Sequence, residues 1–248
     1  MDNEKFEAAC KLVSEGGRLI KGIGTRGEGS VHAVLKNYFR CDQEDQERQI
    51  GAYIADIVDD KGITEIQTGH FTALKDKLEA FLPLAPVRVV YPVYCKKRII
   101  SLDSEGQTVS SRISPLKGSA YDIFREMFPI ARFLTDKNLS ILIVLMECDE
   151  YRAPAALLNR PERRHGRLSV CDRMPTKLIN EIEISSVTDW IKLIPCLYAT
   201  DYTTTDLARD AHISRKHAST ALSLLHRAGI IERTGKKGRS LAYRFKNA

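Results

Sequence analysis

The run from Ile54 to Gln67, IADIVDDKGITEIQ, constrains this chain more than any other stretch. Ile54-Ala55-Asp56-Ile57-Val58 is rich in β-formers, Asp59-Asp60-Lys61-Gly62 is turn chemistry, and Ile63 to Gln67 is a second β-rich run. A hairpin folded back about Asp60 and Lys61 sets Asp56 opposite Glu65. Side chains alternate faces along a strand, so Ile54, Asp56, Glu65 and Gln67 share one face while Ile57, Thr64 and Ile66 take the other. Two opposed carboxylates repel. The usual neutraliser is a hard divalent cation such as Mg²⁺, which prefers one or two carboxylates together with water and phosphate oxygens. A polar outer hairpin face is the alternative.

The flanks of the hairpin read as helices and strands. Phe6, Cys10 and Val13 give a short amphipathic helix over residues 2–14, ended by Gly16-Gly17. A second helix is expected over 25–39, with Val31, Val34, Leu35 and Tyr38 inward. Thr25-x-x-Glu28 has the capping-box spacing, so Glu28 either bonds back to the Thr25 amide or reaches the carboxylate site. His32 and Lys36 follow on the same helix. After the hairpin, Phe71, Leu74, Leu78, Phe81 and Leu82 repeat at helical spacing, and Val87 to Val93 reads as a buried strand bounded by Pro86 and Pro92. Two short strands at 98–102 and 108–113, a helix over 121–134, an apolar strand over 139–146 and a helix over 175–182 complete this part.

An Asp in one strand, a turn, and Glu-x-Lys in the next is the core of the PD-(D/E)XK nuclease superfamily, and Asp56 with Glu65-Ile66-Gln67 resembles its Glu-x-Gln variant. The run from Gly27 to Lys36 resembles the first helix of that fold, and Thr68 to Leu82 followed by Val87 to Pro92 resembles the next helix and strand. The likeness is nearest to restriction-endonuclease-like and competence-associated CoiA-like proteins and covers residues 20–95. It implies an α/β fold, a restriction-endonuclease-like mixed sheet flanked by helices. It also implies Mg²⁺ (or Mn²⁺) held by Asp56, Glu65 and the Ile66 carbonyl, with Glu28 as a further ligand. Glu28, Asp56, Glu65 and Gln67 are then the catalytic set. Gln67 stands where the common motif has Lys; it hydrogen-bonds but carries no charge, so Lys36 and Lys75 are candidates to supply one.

Charge divides the chain. Residues 201–248 contain ten Lys or Arg against four acids and so carry the whole formal +6, leaving residues 1–200 neutral. A polyanion partner for the C-terminal module follows. Residues 188–248 read as a winged helix: a helix near 191–198, a second from Thr203, a third after Ser214 and ended by Gly229, then a hairpin about a turn at 235–238. In that arrangement Arg215, Lys216, His217, Ser219 and Thr220 face duplex DNA in the major groove, and Lys236, Lys237 and Arg239 on the wing meet phosphate. Such modules also bind proteins. RPERRHGR at 160–167 adds Arg163 and Arg164 as phosphate contacts, with a solvated loop as the alternative.

The expected domains are therefore 1–187, nuclease-like, and 188–248, DNA-binding. No apolar run reaches the length of a membrane span, the start MDNEKFEAAC is unlike a secretory signal, and the six dispersed cysteines suit reduced thiols, all of which imply a cytoplasmic protein. The expected activity is Mg²⁺-dependent cleavage of DNA, with a homodimer as a candidate assembly. The alternative is a non-catalytic DNA-binding regulator, of transcription or of a mobile element, built on a degenerate nuclease-like domain.

Overall fold

The computed structural model describes residues 1–15, 29–40, 43–158, 168–194 and 201–246. In chain order the elements are α1 (Asn3–Glu15), α2 (Ser30–Phe39), β1 (Gln46–Ile50), β2 (Tyr53–Asp59), β3 (Gly62–Ile66), α3 (Leu74–Phe81), β4 (Val87–Leu102), β5 (Thr108–Ile113), α4 (Ile123–Glu126), β6 (Leu139–Ala153), β7 (Ser169–Ile184), β8 (Tyr202–Thr203), α5 (Thr204–Asp210), α6 (Arg215–Arg227), β9 (Ile231–Lys237) and β10 (Ser240–Phe245). The protein is α/β. A mixed seven-stranded sheet runs β1-β2-β3-β4-β6-β7 with β5 on β4, and a three-stranded sheet runs β8-β10-β9. No helix among the described residues is long and apolar enough to cross a membrane.

Two compact units interleave along the sequence. One comprises Met1–Gln46, Pro92–Ser119 and Val144–Glu181; the other comprises Glu47–Tyr91, Ala120–Ile143 and Ile182–Ala248. In the first, α1 lies on α2 through Phe6 and Tyr38, whose rings meet edge to face at 5.4 Å. The Asp172 carboxylate accepts from the Ser30 backbone N–H and from its hydroxyl, which satisfies the N-terminus of α2. Glu150 is 1% exposed and is surrounded by Lys97 at 3.4 Å, Arg152 at 2.6 Å and Arg173 at 2.9 Å. These cations outweigh the cost of burial and hold its carboxyl down at about 2.

The second unit holds the hairpin. β2 and β3 pair antiparallel with Ile57 opposite Thr64 and Asp59 opposite Gly62, so the chain turns at Asp60-Lys61 as the sequence predicts. Gly62 is required there. Its φ is +123°, and a Cβ would stand 2.3 Å from the Pro86 carbonyl oxygen, which accepts from the Ile63 N–H at 2.9 Å. β3 then pairs parallel with β4, Glu65 beside Val89 and Ile66 beside Val90. A parallel pair needs a crossover, and α3 supplies it with Leu74, Leu78 and Phe81 buried.

Several sequence expectations are corrected. Residues 175–182 are not helix but the interior of β7, the last strand in the sheet order; an edge strand tolerates Pro175 because one row of its N–H groups needs no ladder partner. The strands at 87–93 and 98–102 are one strand, β4. Pro92 does not end it, since it falls after the last β3 pair and before the first β5 pair. Residues 121–134 form no single helix: 3₁₀ turns at Ala120–Asp122 and Phe128–Phe133 flank the four-residue α4. Pro129, inside the run, lacks the N–H a continuous helix would use. The described part of the second expected helix begins at Ser30. Of the helix expected near 191–198, residues 191 and 192 end a 3₁₀ turn at Val187–Lys192 capped by Ser186 and Asp189, and residues 195–198 lie outside the described residues. The last turn is at Gly238-Arg239, and Lys236 and Lys237 lie in β9. Gly235, at φ +146°, marks a bulge opposite Ala242 and Tyr243.

Candidate active site

Glu65 is the most unusual side chain of the hairpin, a carboxylate 2% exposed on a strand whose Ile63, Thr64 and Ile66 are also buried. It is therefore not part of a polar outer face. The β2–β3 register brings Asp56 to it, and two bonds cross between the strands. The Asp56 N–H donates to Glu65 Oε1 at 3.3 Å, and the Ile66 N–H donates to Asp56 Oδ2 at 2.7 Å. Lys77 of α3 completes the group: its Nζ donates to Glu65 Oε2 at 2.7 Å. Burial and the neighbouring Asp56 charge push the Glu65 carboxyl up to about 7, against the pull of Lys77.

Lys77 was not singled out by sequence, although a signal is present. On α3 it lies three residues after Leu74 and four before Phe81, inside the stripe those apolar residues define. A lysine in a buried stripe points to a partner beneath it. Lys36, the other lysine expected near the site, is 3% exposed on α2, and Lys75 lies off the apolar stripe of α3. Gln67 turns away: its Nε2 donates to the carbonyl oxygens of Gly69 and His70, fixing the exit from β3, where His70 takes φ +53°. Glu28 lies outside the described residues, as do Arg163 and Arg164.

Asp56 and Glu65 suit a hard divalent cation by donor type, and burial first, then the Asp56 charge, disfavours the ionised form of Glu65 that a cation would stabilise. Among the described residues no group of three or more His, Cys, Asp or Glu gathers as a metal site. The pair would thus supply two protein oxygens; of Ile66, it is the N–H that meets Asp56.

The basic residues of the C-terminal segment are divided. Thr203 and Asp206 form a capping box on α5, and Ser214 caps α6 by accepting from the His217 N–H at 3.2 Å. Arg215 and Ser219 are exposed on α6, and Lys236 and Arg239 on the hairpin. Lys237 lies 3.6 Å from Asp206. Lys216, also exposed, lines a cavity with His217, Thr220, Tyr91, Tyr121, Asp122 and Arg125, and His217 Nε2 is 3.2 Å from Asp122 Oδ1.

The sheet and the hairpin define the chain as an α/β protein with a buried carboxylate–lysine group on adjacent elements. Residues 29–185 match the model of DUF8091, a domain of unknown function, and the chain belongs to that family. The matched span contains Asp56, Glu65 and Lys77 and stops before the C-terminal segment. The chain is also 29% identical over 227 residues to an uncharacterized protein of Treponema pallidum (strain Nichols), which covers 90% of this chain and 87% of that protein. No solved structure matches.

Proposed function

We propose that the protein is a Mg²⁺-dependent nuclease of the PD-(D/E)XK type that hydrolyses phosphodiester bonds of DNA, its basic C-terminal segment gripping the nucleic acid. The observation that carries this assignment is the Asp56–Glu65–Lys77 group on β2, β3 and α3. The order α2-β1-β2-β3-α3-β4, with β2 and β3 antiparallel and β3 and β4 parallel, is that of the nuclease core which the hairpin resembles. Residues 202–245 run strand, helix, helix, hairpin, the order of a winged helix, and their net positive charge favours a polyanion.

Asp56 and Glu65 would hold the cation, whose chemistry when bound is to polarise the scissile phosphate and lower the pKa of a water. Hydrolysis replaces one P–O ester bond by a bond from phosphorus to the water oxygen, with a proton passing to the departing oxygen. An ammonium has three donors, and Lys77 gives one to Glu65; another can meet phosphate oxygen as negative charge builds there. Lys77 thus offers the charge that Gln67 lacks. Incubation of supercoiled plasmid with the protein and Mg²⁺ or Mn²⁺ tests this, with Asp56→Ala, Glu65→Ala and Lys77→Ala alongside. Cleavage by the native chain alone is expected; cleavage that survives Asp56→Ala and Glu65→Ala refutes it.

One observation favours the non-catalytic alternative, a DNA-binding regulator. Both Glu65 oxygens already accept hydrogen bonds from within the protein, as a purely structural carboxylate would. DNA retention on a gel without cleavage in either metal would select it.

A further inference from the structure

The side chains expected to read a DNA groove from α6 do something else here. Lys216, His217 and Thr220 close a cavity of about 270 Å³ whose other walls are Tyr91, Tyr121, Asp122 and Arg125. Lys216 is exposed and His217 and Thr220 are half-buried, so the cavity opens to solvent along this face of α6. The volume lies just under the range of about 300–1,000 Å³ typical of small-molecule pockets, which suits one nucleotide unit and not a duplex.

The lining has the chemistry of a phosphate site. Lys216 and Arg125 bring positive charge, and His217 and Asp122 face each other across 3.2 Å. Arg125 binds Glu126 through Nε and Nη2. The Lys216 ammonium has no hydrogen-bond or ion-pair partner among the described residues, and neither has the Tyr91 hydroxyl, although Tyr91 is 9% exposed. Lys216 is exposed and the Tyr91 hydroxyl is open to water, so both groups can exchange solvent for a phosphate oxygen at the cavity mouth. Tyr91 and Tyr121 add aromatic surface of the kind on which sugars and bases lie. Tyr91 also ties the cavity to the hairpin: it follows Val90, the partner of Ile66 in the β3–β4 ladder.

We infer that this cavity binds one phosphorylated nucleotide unit of a single nucleic-acid strand, with Lys216, Arg125 and the Tyr91 hydroxyl on the phosphate. The inference rests on the nucleic-acid part of the proposed function but not on hydrolysis. It makes the substrate a strand that is single or has an open end, instead of a continuous duplex.

The test is calorimetric titration of the full chain in EDTA with thymidine 5′-monophosphate and with thymidine. The monophosphate should bind at least about tenfold more tightly, as a charge-assisted phosphate contact requires. Lys216→Ala with Arg125→Ala should remove that preference, and Tyr91→Phe should weaken it, while the thermal unfolding midpoint stays near native. Equal binding of both probes, or full monophosphate affinity in the folded double variant, would overturn the inference. Oligothymidylates with and without a 5′-phosphate separate the two sources: a preference for the phosphorylated strand identifies a terminal phosphate, and equal affinity lost in the double variant identifies an internal one. Because no cleavage is read, failure of hydrolysis at Asp56 and Glu65 leaves this result standing, and loss of monophosphate binding leaves the plasmid assay standing.

Discussion

Lys77 Nζ lies 2.7 Å from Glu65 Oε2, so a helix residue neutralises a strand carboxylate that would otherwise be buried beside Asp56. Removing one member of such a pair leaves an uncompensated charge. Lys77→Met should therefore destabilise the fold by about 3 kcal/mol at pH 8, and Lys77→Met with Glu65→Gln should recover most of it. Urea unfolding of the two singles and the double measures the coupling. Additive effects would show that the pair contributes nothing.

Glu65 gives stability a pH dependence of definite sign. Its folded pKa of about 7 lies above the 4.5 of a free glutamate, so between these values the native state binds more protons than the unfolded chain. Stability is then full below about 4.5 and falls as pH rises towards about 7, by on the order of 3 kcal/mol. Glu65→Gln should remove that slope and be the more stable protein at pH 8, because the Lys77 ammonium it leaves is 27% exposed and keeps water, unlike the buried carboxylate left by Lys77→Met. Denaturant midpoints at pH 5 and pH 8 for both proteins are the measurement.

If Glu65 holds the proposed cation, protons and cations compete for the same carboxyl. Below pH 7 each unit of pH should weaken Mn²⁺ binding by about tenfold, with a plateau above, because Glu65 must ionise before it can serve as a ligand. Calorimetric titration of Mn²⁺ from pH 5.5 to 8.5 follows this. A flat profile would separate Glu65 from the metal.

Glu150 acts in the opposite direction. Its folded pKa of about 2 lies below the 4.5 of a free glutamate, so the stability it contributes is present above about 4.5 and is lost as pH falls towards 2. Between them, Glu65 and Glu150 contribute most near pH 4.5, where the gain from each is close to full. In Glu150→Gln the acid limb should flatten, and the protein should be weaker at pH 5 because Lys97, Arg152 and Arg173 lose their common anion.

Gly62→Ala should cost about 2–3 kcal/mol, since neither the positive φ nor the Pro86 carbonyl accommodates a Cβ. The same substitution at Gly51, at φ +59° with nothing within 4 Å, should cost less. Thermal unfolding of both variants compares close approach with backbone strain alone.

The hairpin was legible in the sequence because its information is local: turn residues sit between two alternating runs, and pairing about Asp60-Lys61 then follows. The apolar stripe of α3 is legible for the same reason, but the role of Lys77 beside it is set by Glu65, twelve residues away on β3, and so has no local signature. Glycine misled in β9, where Gly235 makes a bulge instead of the turn. Pro175 and Pro92 misled because the cost of a missing N–H depends on which neighbours a strand has, and that is not written in its own residues. The placement of Lys216, His217 and Thr220 beside Tyr91 and Arg125 is tertiary, and no spacing along the chain announces it.

The pairings of β2 with β3 and of β3 with β4 join Ile57 to Thr64 and Ile66 to Val90, all within one short span of sequence. Short loops close at little entropic cost, so this span is suited to forming before the sheet contacts made by β6 and β7. The carboxylate–lysine group would then be assembled in the folding nucleus, and substitutions in it would register first in how fast the chain folds, not in how fast it comes apart.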